Sequence, residues 1–272
     1  MKFFKMHGTG NDFILFILSN KEQTLFTRPL IRKLCRRHFG IGADGIILVL
    51  PSRKKRADFR MRIFNADGSE AEMCGNGLRC LSKLVYAQRL TNKTNLVIET
   101  LSGNIPVKLI IKNNKVAKVS VILAAPSSVH KISASKTKVV LGNPHCVVFL
   151  DESVSKFPVA TYGPLLERHR LFPQRTNVEF VQVKNKGAID MRVWERGVGE
   201  TLACGTGACA AVIAGIAANK LRAVNVKVNL PGGILEISKL SARGGSAFGG
   251  KNGKISLTGP AEMVFEGAIT IH

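Results

Sequence analysis

A repeat constrains this 272-residue chain more than any other feature of its sequence. The segment MRIFNADGSEAEMCGNG at 61–77 aligns without a gap with MRVWERGVGETLACGTG at 191–207, an offset of 130 residues. Identical residues fall at Met61, Arg62, Glu70, Cys74, Gly75 and Gly77 and at their counterparts in the second segment. A chain that duplicates a strand, a turn and a cysteine carries either two sites or one site with two related halves.

Shorter matches extend the repeat along the chain. The pair Gly142-Asn143 corresponds to Gly10-Asn11 at an offset of 132, and NLPGG at 229–233 corresponds to TLSGN at 100–104. We therefore expect two domains of about 130 residues each. The first is expected over residues 1–122, completed by a C-terminal strand at 263–272, and the second over residues 123–262.

Apolar periodicity predicts many strands and few helices. Predicted strands are Lys2–Met6, Ile14–Leu18, Ile46–Leu50, Phe59–Phe64, Leu96–Leu101, Ile105–Ile111, Val116–Ile122, Cys146–Leu150, Asn177–Val183, Ala188–Trp194 and Val264–Ile271. Predicted helices are Pro29–His38, with Thr27 as N-cap, Leu78–Leu90 and Ala208–Lys220. The segment HGTGNDF (7–13) is predicted to be a glycine-rich turn, and Ser241–Gly253 a flexible hairpin or loop.

This order of elements predicts an α+β fold of two pseudo-symmetric domains. A helix that is apolar on most faces must be covered on most sides. Each domain is therefore expected to be a curved, mostly antiparallel sheet or barrel wrapped around a central helix, with the active site in the cleft between the domains.

Composition excludes several classes of protein. No apolar run reaches the ~18 residues of a membrane-spanning helix, and the N-terminus does not resemble a signal peptide, so we expect a soluble, cytoplasmic protein. None of the six cysteines forms a CxxC pair, and neither Cys-Gly-x-Gly segment has zinc-ligand spacing. Core positions are expected for Cys35, Cys80, Cys146 and Cys209.

A net charge of +22 raises nucleic-acid binding as an alternative function. Basic clusters occur at Arg32–Arg37 and Arg53–Arg56, but aromatic residues make up only 6% of the chain. Basic residues are spread along the sequence without the interleaved aromatics on which bases stack. The sequence favours a solvated basic surface, and steep salt dependence of binding to generic DNA or RNA would favour the alternative.

Cys74 and Cys204 differ from the other cysteines because each precedes a glycine-rich helix start. The free N–H groups of a first helical turn and the helix dipole favour an anion there. That anion is either the thiolate itself, with a pKa lowered from its free value of ~8.5, or a carboxylate bound beside the thiol. The sequence leaves both readings open.

Two such cysteines suit the inversion of a stereocentre next to a carboxylate. One group removes a proton from one face, the other delivers a proton to the opposite face, and neither has to move. Charge that develops on the carboxylate is stabilised by the two helix N-termini. The sequence contains no metal, pyridoxal phosphate or nucleotide motif, and the spacing of GIGADG (40–45) fits neither nucleotide loop, so no cofactor is expected.

The motifs HGTGNDF, FNADGSEAEMCGNGLRC, GNPHCV, RTNVEF and ERGVGETLACGTGACA resemble the diaminopimelate epimerase family, whose members need no pyridoxal phosphate. The resemblance runs almost from end to end and is weaker to proline racemases, which share the Cys-Gly-x-Gly pairs. It implies that Cys74 and Cys204 are the catalytic acid/base pair. Substrate binding is implied for Asn11, Asn65, Gly75, Asn76, Asn143, Asn177, Glu195, Arg196, Gly205 and Thr206, and tuning of the thiols for His145 and Glu195.

Two positions depart from the family pattern. Gly45 stands where some members carry glutamine, which limits any contact there to the backbone, and Thr206 stands where others have serine. The resemblance implies interconversion of LL- and meso-diaminopimelate in lysine and cell-wall precursor synthesis. The alternative within the same class is an epimerase of relaxed specificity that also accepts glutamate. A homodimer is a further expectation.

Overall fold

The sequence repeat is reproduced as one order of elements that occurs twice. A computed structural model describes residues 1–240 and 253–271; residues 241–252, where the hairpin or loop was predicted, lie outside the described residues. The chain divides into two compact units, one formed by Met1–Val121 with Gly259–His272 and the other by Ile122–Thr258.

The first unit is a mixed sheet with two helices. Its strands are β1 (Lys2–Gly8), β2 (Asn11–Ile17), β3 (Gly45–Pro51), β4 (Phe59–Asn65), β5 (Glu70–Ala71), β6 (Asn95–Thr100), β7 (Gly103–Lys112), β8 (Lys115–Ala124) and β18 (Glu262–Ala268). Its helices are α1 (Arg28–Cys35) and α2 (Gly75–Ala87), preceded by a short 3-10 turn at Glu22–Leu25. The strand order is β18-β1-β2-β3-β4-β6-β7-β8, with β5 beside β4; the β2–β3 and β4–β6 pairs are parallel and the others antiparallel.

The second unit repeats this arrangement. Its strands are β9 (Ser128–Lys131), β10 (Lys136–Leu141), β11 (Asn143–Leu150), β12 (Asn177–Asn185), β13 (Ala188–Glu195), β14 (Gly199–Thr201), β15 (Asn225–Leu230), β16 (Gly233–Leu240) and β17 (Lys254–Gly259). Its helices are α3 (Val159–Glu167) and α4 (Gly205–Ala217). The order β9-β10-β11-β12-β13-β15-β16-β17 again has two parallel pairs, β11–β12 and β13–β15. The predicted α+β fold of two related domains is confirmed.

The central helix of each unit is buried because the sheet curves around it. Helix α2 packs against β1, β2, β3, β4 and β7, and α4 against β10, β11, β12 and β16, strands that lie far apart in the strand order. Helix α4 is built almost entirely from alanine, glycine, valine and isoleucine, and all but one of its residues from Gly205 to Gly215 are buried. These small side chains let the strands approach the helix closely.

The outer face of each sheet carries a second helix. Ile31 and Leu34 of α1 join a core with Phe16, Ile46 and Leu48 of β2 and β3. In the second unit α3 lies against β12 and β13, and a further apolar core lies beneath it. Each sheet is therefore covered on both faces, which explains why strands such as β3 are almost continuously apolar.

The structure corrects several predicted boundaries. Helices α2 and α4 begin three residues before the predicted starts, at Gly75 and Gly205, because the cysteines are the N-caps and the glycines form the first turn. Helix α1 ends at Cys35 and not at His38; its N-cap is Thr27 as predicted, without a capping bond from the side chain in the described structure.

Two further predictions were too coarse. Within HGTGNDF only Thr9 and Gly10 form the turn, with φ of 54° and 85°, because strand pairing continues on both sides of them. The last strand is Glu262–Ala268 and not Val264–Ile271. The prediction lacked α3 and the strands β5, β9, β10, β14, β15, β16 and β17.

Candidate active site

Cys204 caps the central helix of the second unit. Its thiol is buried, the N–H of Gly207 donates to Sγ at 3.4 Å, and the Thr206 hydroxyl lies 3.6 Å from the sulfur. Burial, followed by the negative charges of Glu195 and Glu179, raises the pKa of Cys204 well above its usual value. Of the two readings that the sequence left open, a thiolate with a lowered pKa does not apply to Cys204, because burial and two carboxylates outweigh the helix N-terminus.

Glu195 ends strand β13 beside this thiol. Its Oε1 accepts a hydrogen bond from the Thr201 hydroxyl at 2.5 Å. Burial raises the pKa of Glu195, hydrogen bonds from Thr201 and Cys204 oppose the rise, and the charge of Glu179 adds to it. The second unit therefore places a thiol and a carboxyl group with a raised pKa next to each other, an arrangement suited to proton transfer.

Asn177 and Arg196 are joined at the same end of the sheet. Asn177 is buried at the start of β12, and its Oδ1 accepts from the backbone N–H of Arg196 at 2.9 Å. The Arg196 side chain is exposed and donates from Nη1 to the Gln174 carbonyl at 3.1 Å. The guanidinium is thus anchored by one nitrogen, while its planar fork is of the type that grips a carboxylate.

His145 lies between two polar side chains at the beginning of β11. Its Nε2 is 2.8 Å from Asn143 Oδ1, and its Nδ1 is 2.6 Å from Glu179 Oε1. Sequence reasoning missed Glu179, because it occupies the middle of the apolar strand segment NVEF. A single carboxylate inside such a strand was the available signal, since an isolated buried charge requires a partner.

The first unit presents Cys74 at the equivalent place. Cys74 is the extended N-cap of α2 and is partly exposed, and Gly75 and Asn76 follow it as buried residues of the first turn. Asn65 ends β4 in the position that Glu195 occupies in β13, and its Nδ2 donates to the Ser69 hydroxyl at 2.9 Å. Cys204 therefore has a carboxyl group beside it, whereas the corresponding position of the first unit carries an amide.

Asn11 starts β2 next to a charged cluster that sequence reasoning also missed. Asp12 accepts two hydrogen bonds from Arg37, at 2.8 and 3.1 Å, and one from Lys5 at 2.5 Å. Asp44 Oδ1 accepts a hydrogen bond from Arg37 Nη2 at 2.7 Å, and the backbone N–H of Asp44 donates to the Asp12 carbonyl. The cluster ties the loop before β3 to the turn that carries Asn11.

Gly45 explains one departure from the family pattern. It lies opposite Asn65 in the β3–β4 ladder, and a Cβ at this position would collide with the Phe64 carbonyl oxygen. The corresponding position in the second unit is Asn177, which lies at the start of β12 and pairs in the same way. A side chain at residue 45 would require the backbone of β4 to shift.

The predicted residues divide between the two units. The first group is Asn11, Asn65, Cys74, Gly75 and Asn76. The second group is Asn143, His145, Asn177, Glu195, Arg196, Cys204, Gly205 and Thr206. Among the described residues, no group of three or more histidine, cysteine or acidic side chains is arranged to hold a metal ion.

Comparison with known proteins identifies the family of this chain. The family model described as "Diaminopimelate epimerase" matches residues 3–126 and 137–264. The diaminopimelate epimerase of Halothermothrix orenii is 45% identical, with 100% of this chain and 99% of the relative covered. The chain belongs to the diaminopimelate epimerase family. It is therefore an isomerase of the epimerase type.

Further relatives support the same family. The diaminopimelate epimerase of Moorella thermoacetica is 45% identical, with 98% of each chain covered, and that of Methanococcus maripaludis strain C6 is 42% identical over the full length of both. The family resemblance stated from the motifs is confirmed. Each of the two segments matched by the family model contains one copy of the repeat.

Solved structures of low sequence identity share the fold. A PhzF-family phenazine biosynthesis protein of Bacillus anthracis matches with a TM-score of 0.75 at 16% identity, covering 100% of this chain and 99% of that one. A probable proline racemase from Agrobacterium radiobacter matches with a TM-score of 0.74 at 17% identity, covering 100% and 93%. In the described part of the chain, every helix is too short or too polar to cross a membrane.

Proposed function

We propose that this protein interconverts LL- and meso-diaminopimelate without a cofactor, with Cys74 and Cys204 as the two acid/base groups. One observation carries the proposal. Each cysteine is the N-cap of the buried central helix of its own unit, at the same position of the repeat. A duplicated thiol at a duplicated helix N-terminus suits a reaction that needs two proton-transfer groups around one carboxylate-bearing carbon.

The reaction consists of two balanced proton transfers. A thiolate removes the α-proton and becomes a thiol, and the electron pair that is left is delocalised into the substrate carboxylate. The other thiol then delivers its proton to the opposite face of the carbon and becomes the thiolate. We assign the donor role in the first turnover to Cys204, because the raised pKa keeps its proton in place.

The helix N-termini supply the donors for the reacting carboxylate. The first N–H groups of a helix have no intrahelical acceptor, and in α2 and α4 they belong to Gly75, Asn76, Gly205 and Thr206. Such N–H groups stabilise the negative charge that develops on the substrate carboxylate during the reaction more strongly than they stabilise the bound substrate before it reacts. Thr206 can replace serine because this contact uses the backbone.

The remaining residues are proposed to orient the substrate. They are Asn11, Asn65, Asn143, Asn177, Glu195 and Arg196, with Glu195 and His145 also acting on the thiols. Glu195 is the group to which Cys204 would pass its proton when it must act as the base, because the two side chains are hydrogen-bonded. We further propose a cytoplasmic location and a homodimer.

Replacing either thiol should abolish epimerisation. We expect Cys74→Ala and Cys204→Ala each to lose at least about 10³-fold in kcat/KM in a coupled assay with LL-diaminopimelate and a meso-specific dehydrogenase, within the range for loss of a general acid or base. In D2O each variant should exchange the α-hydrogen of one stereoisomer, and the two variants should exchange opposite ones.

Matched controls come from the same two helices. Cys80→Ala in α2 and Cys209→Ala in α4 remove buried thiols that follow the caps, and both variants should keep their activity. Substantial epimerisation by either cap variant, or exchange of the same stereoisomer by both, would contradict the two-base mechanism. Kinetics with glutamate as a second substrate separates a specific enzyme from one of relaxed specificity.

A further inference from the structure

A histidine and a glutamate are buried side by side in the second unit, behind the cysteine cap. Glu179 on β12 and His145 on β11 are both fully buried, and Glu179 Oε1 lies 2.6 Å from His145 Nδ1. Glu179 Oε2 is also buried and meets no hydrogen-bond partner within the part of the chain that the structure describes. A buried carboxylate with an unsatisfied oxygen is costly, so its presence calls for a reason other than packing.

The repeat shows what the same positions contain when they serve packing alone. In the first unit β2 runs parallel to β3, with Phe13 beside Gly45. In the second unit β11 runs parallel to β12, with His145 beside Asn177. His145 therefore occupies the place of Phe13.

Glu179 likewise occupies the place of Ile47, two residues further along the equivalent strand. The neighbouring helix confirms this correspondence. A Cβ added to Gly77 of α2 would meet Ile47 Cδ1 at 2.9 Å, and one added to Gly207 of α4 would meet Glu179 Oε1 at 2.7 Å. The fold thus accepts phenylalanine and isoleucine where the second unit has histidine and glutamate, and apolar residues usually replace a buried ion pair without loss of stability.

The pair lies against the reactive end of α4. A Cβ at Gly207 would be 2.7 Å from Glu179 Oε1 and 3.3 Å from the Cβ of Cys204. Titratable groups that face Glu179 are Cys204 at the start of α4, Glu195 on β13, and Cys146 and His145 on β11. The negative charge of Glu179 contributes to raising the pKa of Cys146, Glu195 and Cys204, after the larger effect of burial.

We propose that Glu179 is a positioning residue that accepts a hydrogen bond from the Nδ1–H of His145 and thereby fixes the ring in the orientation that directs Nε2 toward the Asn143 side. A carboxylate that fixes one ring nitrogen determines the tautomer and the orientation of the ring. The Asn143 carboxamide completes the arrangement, because it can turn Oδ1 toward a protonated Nε2 and its NH2 toward an unprotonated one. This inference deepens the proposed function and rests on it.

The experiment compares the wild-type protein with Glu179→Gln. The glutamine amide either accepts or donates a hydrogen bond, so it no longer fixes the tautomer of His145. In ¹⁵N-histidine NMR spectra we expect wild-type His145 to keep its proton on Nδ1 from pH 6 to pH 9, and the variant to show a mixture of tautomers. We expect kcat to fall about 10- to 100-fold, with KM changed by less than about threefold, because Glu179 supports another residue and does not touch substrate.

The chain supplies a second variant that separates positioning from folding. His145→Phe combined with Glu179→Ile copies the first unit's residues into the second unit. We expect it to unfold at a temperature no lower than that of the wild type and to lose epimerase activity; its spectrum also identifies the His145 signals by their absence. Failure of the double variant to fold would assign the pair to stability and overturn the proposal.

Two further outcomes also overturn the inference. One is an Nδ1 signal in Glu179→Gln identical to that of the wild type, and the other is a kcat within about threefold of the wild-type value. The NMR measurement does not depend on the substrate, so it tests the tautomer even if the wild type does not act on diaminopimelate. If the wild type is active and Glu179→Gln behaves like it, the inference about Glu179 fails while the proposed function stands.

Discussion

Asp12 shows how single residues hold the first unit's site together. Its carboxylate accepts a hydrogen bond from the buried Lys5 and two from the guanidinium of Arg37. The Lys5 ammonium also donates to the Gly42 carbonyl. Burial alone would raise the pKa of Asp12, but the hydrogen bonds from Arg37 and Lys5 lower it well below the usual range. Asp12 directly follows Asn11, so this network also fixes a residue proposed to bind substrate.

Asp12→Asn should destabilise the protein at neutral pH. The substitution removes the charge that compensates the buried Lys5, and we expect a loss of about 2–3 kcal/mol in the free energy of unfolding at pH 7. Because the pKa of Asp12 is lower in the folded state, its contribution is complete above the unfolded value of about 3.9 and is lost as the pH falls below it. Urea unfolding should show a smaller difference in the free energy of unfolding between the wild type and Asp12→Asn at pH 3 than at pH 7.

The control for this prediction is Asp151→Asn, a change of the same charge at an exposed position. It should alter stability by less than about 0.5 kcal/mol at either pH. A difference between Asp12→Asn and the wild type that stays constant from pH 7 to pH 3 would show that shape, and not charge, is responsible.

At this scale the sequence predicted the cysteine caps and Glu195 beside Cys204, but not Glu179 or the pair Asp12 and Arg37. Cys74 and Cys204 were identifiable because they align with each other when the two copies of the repeat are superimposed in sequence. Glu179 could not be assigned, because the partner that gives it meaning, His145, is 34 residues away and becomes adjacent only through the parallel pairing of β11 and β12. The same applies to Asp12 and Arg37, which lie 25 residues apart.

Among the elements, α3 is the clearest case of tertiary structure overriding local preference. Its nine residues VATYGPLLE include Gly163 and Pro164, and Pro164 removes an internal hydrogen bond. The helix forms because Gly163 allows it to sit on the Trp194 ring, while Glu167 accepts the indole N–H at 2.8 Å. Neither contact is visible in a local sequence window. By contrast α4 was predictable, since its run of small apolar residues is long.

Gly163→Ala should destabilise α3 although alanine favours helix formation. A Cβ at this position would lie 2.5 Å from Cγ and 2.6 Å from Cδ2 of Trp194. Overpacking of about 1–3 kcal/mol should outweigh a propensity gain of about 1 kcal/mol. Denaturant unfolding measures the change, and the emission of Trp194, the only tryptophan of the chain, reports displacement of the ring.

Thr161→Ala is the matched control, because it introduces alanine at an exposed position of the same helix. It should be neutral or slightly stabilising, by up to about 0.5 kcal/mol, and should leave the tryptophan emission unchanged. If Gly163→Ala behaved like this control, the close approach of α3 to Trp194 would not be what holds the helix in place.

For the whole molecule, the repeat determined most of what could be predicted. It gave two related units and a central helix in each, because an apolar helix and a set of strands recur in the same order. The strands β9 and β10 were missed although they pair with each other and β10 pairs with the next strand, β11; β9 has only four residues and shows no alternation of burial. The net charge of +22 remains without a structural explanation.

Oxidation tests whether the two units act on one substrate. If Cys74 and Cys204 serve opposite faces of a single carbon, a mild oxidant without substrate should join them in a disulfide, and a reductant should restore activity fully. Burial raises the pKa of Cys35 to about 11, that of Cys80 and Cys146 to about 12, and that of Cys204 well above its usual value, so proximity of the sulfurs, and not thiol acidity, has to select the pair. Peptide mapping identifies the linked residues, and a bridge at Cys35, Cys80, Cys146 or Cys209 would contradict a shared site.

The position of β18 has a consequence for synthesis of the chain on the ribosome. This strand pairs with β1, while Arg79 and Lys83 of α2 donate to the carbonyls of Pro260 and Ala261 at 2.9 and 2.6 Å. The second unit, Ile122–Thr258, is continuous and lies wholly upstream of that strand. The half that is translated first therefore keeps an unpaired edge at β1 until β18 has been synthesised, and the half that is translated second is the first to have all of its strands.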